Sequence, residues 1–182
     1  MKFVSTPIRT RYPVSKDRPE VLFLCVHNAG RSQMAAALLA RHGGGEVVVH
    51  SAGSAPGETL NPAVVVAMAE VGIDISAQRP KRLTDAMAQG ADVIVTMGCG
   101  DTCPLYPGKR YVDWDLPDPA NKPLDEVRPI RDEISSRVDA LLMELLRRGS
   151  EPIFSSYNGL GRNQIRPGAP TDLMEHHDAK TV

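Results

Sequence analysis

Short apolar runs, each about as long as one strand, recur along the chain. The first run covers residues 21–24 without a polar interruption, and similar runs follow at 46–50, 92–97 and, less apolar, 110–114. Uninterrupted runs of this length are typical of strands buried on both faces of a parallel sheet. The pattern therefore predicts four buried strands.

Segments with the composition and the capping residues of helices lie between these runs. Residues 32–41 are rich in alanine, and residues 62–71 follow Asn61, a good N-terminal cap. A shorter helix is predicted at 84–89, with Thr84 as its cap. Alternating strands and helices predict an α/β fold, a three-layer arrangement in which a four-stranded parallel sheet has helices on both faces. Ligands of such sheets bind beyond the carboxyl ends of the strands.

A longer last helix is predicted from apolar residues at three- and four-residue steps, which make one stripe suited to covering the sheet. Its start is open, because Asn121 and Pro123 suit a cap and a first turn, yet Pro129 then lies inside the helix. The stripe consists of Val127, Ile130, Ile134, Val138, Leu141 and Leu145.

The two ends of the chain lack this periodicity. Residues 1–18 carry four basic residues before the first acid, and residues 150–182 are interrupted by Ser, Asn, Gly and Pro. We therefore expect a flexible arm at 1–18, one folded domain at 19–149 and a disordered tail at 150–182.

The charge balance limits the possible partners. Lys and Arg total 21 against 22 for Asp and Glu, which gives a net charge of −1. A chain so close to neutral has no overall positive field to hold a nucleic-acid backbone or an anionic bilayer, and no apolar run is long enough to span a bilayer. The composition therefore predicts no nucleic-acid partner and no membrane partner. The chain has three cysteines, an odd number that is too small for the disulfide framework of a small secreted domain. We expect a cytoplasmic protein.

The loop after the first strand carries the strongest chemical signal. A loop between a buried strand and a helix can turn its backbone N–H groups toward a tetrahedral oxyanion, beside the positive end of the helix dipole. Arg31, at the end of this loop, adds a planar guanidinium that can bind two oxygens of the anion. Asn28 and Gly30 suit positive backbone dihedrals. The loop reads Cys25, Val26, His27, Asn28, Ala29, Gly30, Arg31 and Ser32.

The same field stabilises a thiolate, so we expect Cys25 to be a nucleophile at neutral pH. Ser32 can donate its hydroxyl to that sulfur. The alternative is that Cys25 is a small buried hydrophobic residue and Arg31 a surface charge. The combination of the two residues at this spacing favours catalysis, whereas His27 is interpreted as a neighbour of the site.

Two further groups follow later strands on the same side of the predicted sheet. Cys99 and Cys103 stand on a glycine-containing loop, where two thiols suit exchange with a neighbouring sulfur. Incidental thiols, or half of a zinc site, are the alternatives; no second close ligand pair is present, so no metal is predicted. After the fourth strand come Asp113, Asp115 and Asp118, one of which can protonate a departing oxygen.

Residues 25–32 resemble the signature loop of the low-molecular-weight protein tyrosine phosphatase fold. The continuation through Gln33 resembles the arsenate reductases of that fold, which are linked to thioredoxin or a small thiol, whereas the phosphatases more typically carry proline there. Residues 51–53 and 61–62 are similar to the family's second strand and following helix, and the resemblance covers about 20–148.

The resemblance implies an arsenate reductase. The loop would then bind arsenate, and phosphate or sulfate could occupy the same site. Cys25 would attack the arsenate, and Asp118, the aspartate before a proline, would protonate the departing oxygen. Cys99 resembles the resolving cysteine and Cys103 the terminal one, with thioredoxin or a small thiol such as mycothiol as the reductant. No cofactor is implied, and potassium is not predicted because Ala36 replaces a glutamate of some relatives.

Two other functions stay open at this point. A low-molecular-weight protein tyrosine phosphatase would act through a phosphocysteine at Cys25, with the distal thiols protecting it against oxidation. A catalytically idle oxyanion sensor could use the same loop for binding alone.

Overall fold

The computed structural model describes residues 18–98 and 105–149, and the predictions for Cys99, Cys103, the arm before residue 18 and the tail lie outside these residues. The proposed division at 18 and 149 therefore stays a prediction. No helix in the described part of the chain is both long and apolar enough to cross a bilayer. In chain order the elements are β1 (Glu20–Cys25), α1 (Arg31–His42), β2 (Val48–Gly53), α2 (Pro62–Glu70), α3 (Asp85–Gly90), β3 (Val93–Thr96), β4 (Arg110–Asp113) and α4 (Leu124–Gly149).

The strands form one parallel sheet in the order β2-β1-β3-β4. Strand β1 is central because both of its neighbours bond to it, with Val21 opposite Val49 on one side and Val93 on the other. Its five residues from Val21 to Cys25 are all buried, as the uninterrupted apolar run predicts. The predicted four-stranded parallel sheet is confirmed.

Helices cover both faces of the sheet, which confirms the three-layer arrangement. Side chains alternate along a strand, so Val21 and Phe23 face one layer, where they share a core with the apolar faces of α1, α2 and α4. Leu22 and Leu24 face the other layer, where Ala88 of α3 packs. The stripe predicted on the last helix is buried from Val127 to Leu145.

Strand β2 lies further along the chain than its apolar residues predict. The run at 46–50 indicated the strand, but pairing with β1 begins at Val48 and continues to Gly53, which stands opposite Cys25. The register of the sheet therefore decides the position of this strand, and it places the small residue Gly53 beside the loop that follows Cys25.

The start of α4 settles the question that the prolines left open. The helix begins at Leu124, with the carbonyl of Pro123 accepting from Glu126 and Val127, and Pro129 lies inside it on the exposed side. A proline removes one backbone donor, but the carbonyl it leaves unpaired one turn earlier can bind water on an exposed face.

Candidate active site

The sulfur of Cys25 is held at the carboxyl end of the central strand. Cys25 is buried, and its Sγ accepts a hydrogen bond from the backbone N–H of Asn28 at 3.2 Å. The hydroxyl of Ser32 lies 3.0 Å from the same sulfur. Because α1 begins at Arg31, the positive end of its dipole lies at this loop. A backbone N–H and the positive end of a helix dipole therefore both lie beside the sulfur.

The side-chain amide of Asn28 links Ser32 to the rest of the loop. The backbone N–H of Lys81 donates to Oδ1 of Asn28 at 2.8 Å, which fixes the orientation of that amide. Its Nδ2 then donates to Oγ of Ser32, at 2.8 Å. The serine oxygen accepts there, which leaves its own hydrogen available to donate to Sγ of Cys25.

Backbone conformation distinguishes the two residues that were expected to have positive dihedrals. Asn28 has φ of 49°, so the prediction is confirmed for it. The prediction was wrong for Gly30, which has φ of −145°. A glycine is needed there because a Cβ would lie 2.8 Å from Cγ of Pro119. The loop and the segment that contains Asp118 therefore pack directly together.

Gln33 supports the loop from the first turn of α1, a role that the sequence did not reveal. Its side chain is buried, and Nε2 donates to the carbonyl and to Oδ1 of Asn28 and to the carbonyl of Arg79. The sequence offered one indication of this role, a polar residue among the apolar and alanine positions of the predicted helix. Gln33 joins the loop to the segment that precedes α3.

Arg31 is buried, not a surface charge. Its Nη2 lies 2.7 Å from Oδ2 of Asp118, and its Nη1 donates to the carbonyl of Leu116 at 3.3 Å. Gly98, two residues after the end of β3, packs on the guanidinium so closely that a Cβ would lie 2.7 Å from Nη1. Gly98 also has φ of 69°, so glycine is favoured there for two reasons.

Of the three candidate acids, only Asp118 lies against the loop that follows Cys25. Asp118 is half exposed, and its Oδ1 accepts from the backbone N–H of Ala120. Asp113 is exposed and accepts from Oγ1 of Thr96, and Asp115 is exposed as well. Only Asp118 among them combines contact with Arg31 and access to solvent.

Asn61 connects the parts of the site, although the sequence identified it only as a helix cap. It does cap α2, since its Oδ1 accepts from the backbone N–H of Ala63. Its own backbone N–H donates to the carbonyl of Ala29, and its Nδ2 donates to the carbonyl of Pro119 at 2.8 Å. The residue thus fixes the acid segment against the loop.

A small cavity opens above Cys25. Its volume is about 50 Å³, on the scale of one small anion, and within the described ranges 18–98 and 105–149 no Phe, Tyr or Trp lines it. Of the predicted loop residues, Val26, Asn28 and Ser32 do not line this space, and the last two act on the sulfur from the side. The lining residues are Cys25, His27, Ala29, Gly30, Arg31, Asn61, Asp118, Pro119 and Ala120.

The chain belongs to the low molecular weight phosphotyrosine protein phosphatase family, whose model matches residues 20–151. The predicted resemblance is confirmed. An arsenate reductase of Halalkalibacterium halodurans is 41% identical over 128 residues, which are 65% of this chain and 91% of that protein.

Two solved structures are similar in sequence and in fold. A thioredoxin-dependent arsenate reductase of Corynebacterium glutamicum is 44% identical with a TM-score of 0.63; the match covers 73% of this chain and 64% of that one. An arsenate reductase in the phosphate-binding state is 32% identical with a TM-score of 0.64, over 70% of this chain and 98% of that one. Within this family, the chain is therefore similar to proteins named as arsenate reductases.

Proposed function

We propose that this protein is an arsenate reductase that uses Cys25 as its nucleophile. The observation that carries the proposal is the geometry around one sulfur. Sγ of Cys25 accepts a hydrogen bond from the backbone N–H of Asn28, lies 3.0 Å from the hydroxyl of Ser32 and borders a cavity of about 50 Å³ that Arg31 and Asp118 also line. The geometry suits a tetrahedral oxyanion, which both arsenate and phosphate are. The names of the relatives favour arsenate as the substrate.

Binding uses the loop amides and the guanidinium. An arsenate that enters the cavity competes with Asp118 for Arg31, which exchanges its carboxylate partner for two arsenate oxygens. The loop N–H groups and the dipole of α1 neutralise the remaining charge. This arrangement places the arsenic atom in front of Sγ of Cys25.

The first chemical step forms a bond between Sγ of Cys25 and arsenic. One arsenate oxygen departs, and Asp118 protonates it so that it leaves as water. Asp118 suits this role because it is half exposed and lies within hydrogen-bonding distance of the guanidinium that holds the anion. A carboxylic acid at this position lowers the barrier because the leaving oxygen need not carry a negative charge.

Reduction of arsenic needs a second thiolate. In the proposed second step Cys99 attacks Sγ of Cys25, a disulfide forms, and the electron pair of the sulfur–arsenic bond stays on arsenic, which leaves as arsenite. Cys103 then attacks Cys99, which releases the Cys25 thiolate and leaves a Cys99–Cys103 disulfide for thioredoxin or a small thiol. Cys99 directly follows Gly98, whose backbone contacts Arg31, and this supports its place in the relay.

Substitution of the cysteines tests this sequence of steps. Cys25→Ser should abolish arsenate reduction, and appreciable remaining activity would refute the assignment. Cys103→Ser should allow one turnover and stop further ones. Unchanged steady-state rates in Cys103→Ser would mean that a small thiol such as mycothiol or glutathione resolves the adduct. Oxidation of supplied thioredoxin, with mass spectrometry to locate the disulfide, identifies the reductant.

A phosphatase is the second candidate, because the family includes enzymes that hydrolyse phosphotyrosine. Among the residues that the structure describes, no Phe, Tyr or Trp lines the cavity to pack on a phenyl ring, which favours a small inorganic anion over an aryl substrate. We therefore expect a far higher kcat/KM for arsenate than for an aryl phosphate, measured with the same preparation. The reverse ratio would favour the phosphatase.

A further inference from the structure

The peptide group between Pro119 and Ala120 joins the proposed acid to Asn61. Its N–H, on Ala120, donates to Oδ1 of Asp118 at 3.0 Å. Its carbonyl, on Pro119, accepts from Nδ2 of Asn61 at 2.8 Å. Because a peptide group is planar, its carbonyl and its N–H turn together. The side chain of Asn61 therefore restrains the orientation of the N–H that binds Asp118.

The side-chain amide of Asn61 has a single orientation. Its Oδ1 accepts at 2.9 Å from the backbone N–H of Ala63, which can only donate, and its Nδ2 faces the carbonyl of Pro119, which can only accept. Exchange of the two atoms would oppose two donors on one side and two acceptors on the other. The main chain of Asn61 is fixed as well, since its N–H donates to the carbonyl of Ala29 at 2.9 Å.

Other contacts hold the acid segment near the loop that follows Cys25. Pro119 packs on Gly30, and the backbone N–H of Lys122 donates to the Pro119 carbonyl at 3.2 Å, a longer bond than the one from Asn61. Loss of the Asn61 bond would therefore leave the segment in place and loosen the orientation of one peptide group. The expected effect is on the geometry of the acid and not on the fold.

This orientation matters most when an anion is bound. Among the described residues, the carboxylate of Asp118 has two partners, the N–H of Ala120 on Oδ1 and the guanidinium of Arg31 on Oδ2. An arsenate that takes over Arg31 removes the second partner, so the bond from Ala120 remains. A carboxyl group whose Oδ1 accepts this bond carries its proton on Oδ2, the oxygen that faces Arg31 and thus the anion.

We propose that Asn61 is a positioning residue for Asp118, which acts through the peptide group of Pro119 and Ala120 and holds Oδ2 toward the bound anion. This inference rests on the proposed function and extends it. In the first chemical step the proton on Oδ2 passes to the arsenate oxygen whose bond to arsenic breaks, and that oxygen leaves as water. Proton transfer needs a heavy-atom distance of about 2.6–3.2 Å, which a freely rotating carboxyl group reaches for only part of the time.

The size of the effect follows from the loss of one neutral hydrogen bond. Such a bond shifts an equilibrium by a factor of about 2–10. Because Lys122 still donates to the same carbonyl, we expect the step that uses the proton to slow by about fivefold. Removal of the acid itself in Asp118→Asn sets the upper limit, a decrease of about 10²–10⁴.

The test uses Asn61→Ser. Serine caps a helix as well as asparagine does, so α2 keeps its cap, but its side chain has no second polar atom that reaches Pro119. Arsenite formed in a single turnover is measured with the protein in excess over arsenate, for the wild type, Asn61→Ser, Asp118→Asn and the double variant. Calorimetry with inorganic phosphate checks that the loop at Cys25 is intact. Thr84→Ser, at the cap of α3 and outside the cavity lining, introduces the same residue and is the matched control.

We expect Asn61→Ser to bind phosphate as the wild type does and to form arsenite about fivefold more slowly. In the Asp118→Asn background the same substitution should change nothing, because no acid is left to orient. Thr84→Ser should match the wild type.

Three results would overturn the positioning role: a wild-type rate in Asn61→Ser, a wild-type rate in Asp118→Asn, or an equal decrease on adding Asn61→Ser to the wild type and to Asp118→Asn. Weaker phosphate binding by Asn61→Ser would overturn it as well, because Asn61 would then act on the loop. Absence of arsenite from the wild type would instead refute the proposed function itself, which separates the two failures.

Discussion

Substitution of Gly98 by alanine tests how Arg31 is held. The added Cβ would lie 2.7 Å from Nη1, and Arg31 cannot move away without loss, because its other contacts are to Leu116 and Asp118. An ordinary contact requires about 3.5 Å or more, so the guanidinium must shift by roughly 1 Å. A guanidinium displaced by that distance loses at least one charged hydrogen bond to the bound anion, which lowers the binding free energy by about 1.5–3 kcal/mol.

The expected result of Gly98→Ala is therefore a rise of about tenfold or more in the dissociation constant for inorganic phosphate, measured by calorimetry, and in KM for arsenate. A second effect arises from the backbone, because a φ of 69° costs a residue with a Cβ about 1–2 kcal/mol. Thermal unfolding should show this as a decrease in Tm of a few degrees.

Gly72→Ala provides the matched control. Gly72 has φ of 75°, and a Cβ there would meet nothing within 4 Å. This variant should lose a similar amount of stability and bind phosphate with wild-type affinity. If the two variants bind phosphate equally well, Gly98 does not position Arg31, and the reasoning from the close approach is wrong.

Three further substitutions test the site and the frame around it. Ser32→Ala removes the hydroxyl donor to the sulfur, so alkylation of the nucleophile by iodoacetamide at pH 7 should slow by about tenfold. Asp118→Asn removes the proposed acid and should lower kcat by about 10²–10⁴, while phosphate binds at least as tightly because the competing carboxylate on Arg31 is neutralised. Glu70→Gln should lower Tm at pH 7, because Glu70 on α2 pairs with Arg128 on α4.

The last of these effects depends on pH in a defined direction. The hydrogen bond from Arg128 lowers the pKa of Glu70 below the usual range of a glutamate. A carboxyl group whose pKa is lowered by folding stabilises the folded protein at pH values above its pKa in the unfolded chain. This contribution is lost as the pH falls through the lowered pKa of the folded state. The Tm difference between wild type and Glu70→Gln should therefore shrink as the pH falls below the ordinary range of a glutamate, and should vanish in the acid range where Glu70 is protonated. A difference that persists there would exclude the ion pair as its cause.

The other two predictions have equally direct counter-results. Unchanged alkylation in Ser32→Ala would show that the backbone N–H of Asn28 and the helix dipole suffice to stabilise the thiolate. A normal kcat in Asp118→Asn would assign the proton to another donor, and Asp115→Asn, on an exposed carboxylate of the same segment, serves as the control.

The sequence by itself determined the local part of this site. An apolar run, a cysteine, a short loop and an arginine at a helix start lie within a few residues of one another, so their geometry follows from a strand, a turn and a helix. The sulfur, its serine donor and the positive φ of Asn28 are all of this kind. Asn28 and Ser32 interact across one turn of chain, where spacing in sequence is close to spacing in space.

Only the tertiary structure decided which distant residues complete the site. Asp118 stands 87 positions from Arg31. Residue type and local spacing did not distinguish it from Asp113 and Asp115; the family resemblance singled it out, and packing places it at the guanidinium. Gly98 and Asn61 gained their roles in the same way, through close approach between loops that follow different strands. Such contacts depend on the order and register of the parallel strands, and residue type and local spacing alone do not specify them.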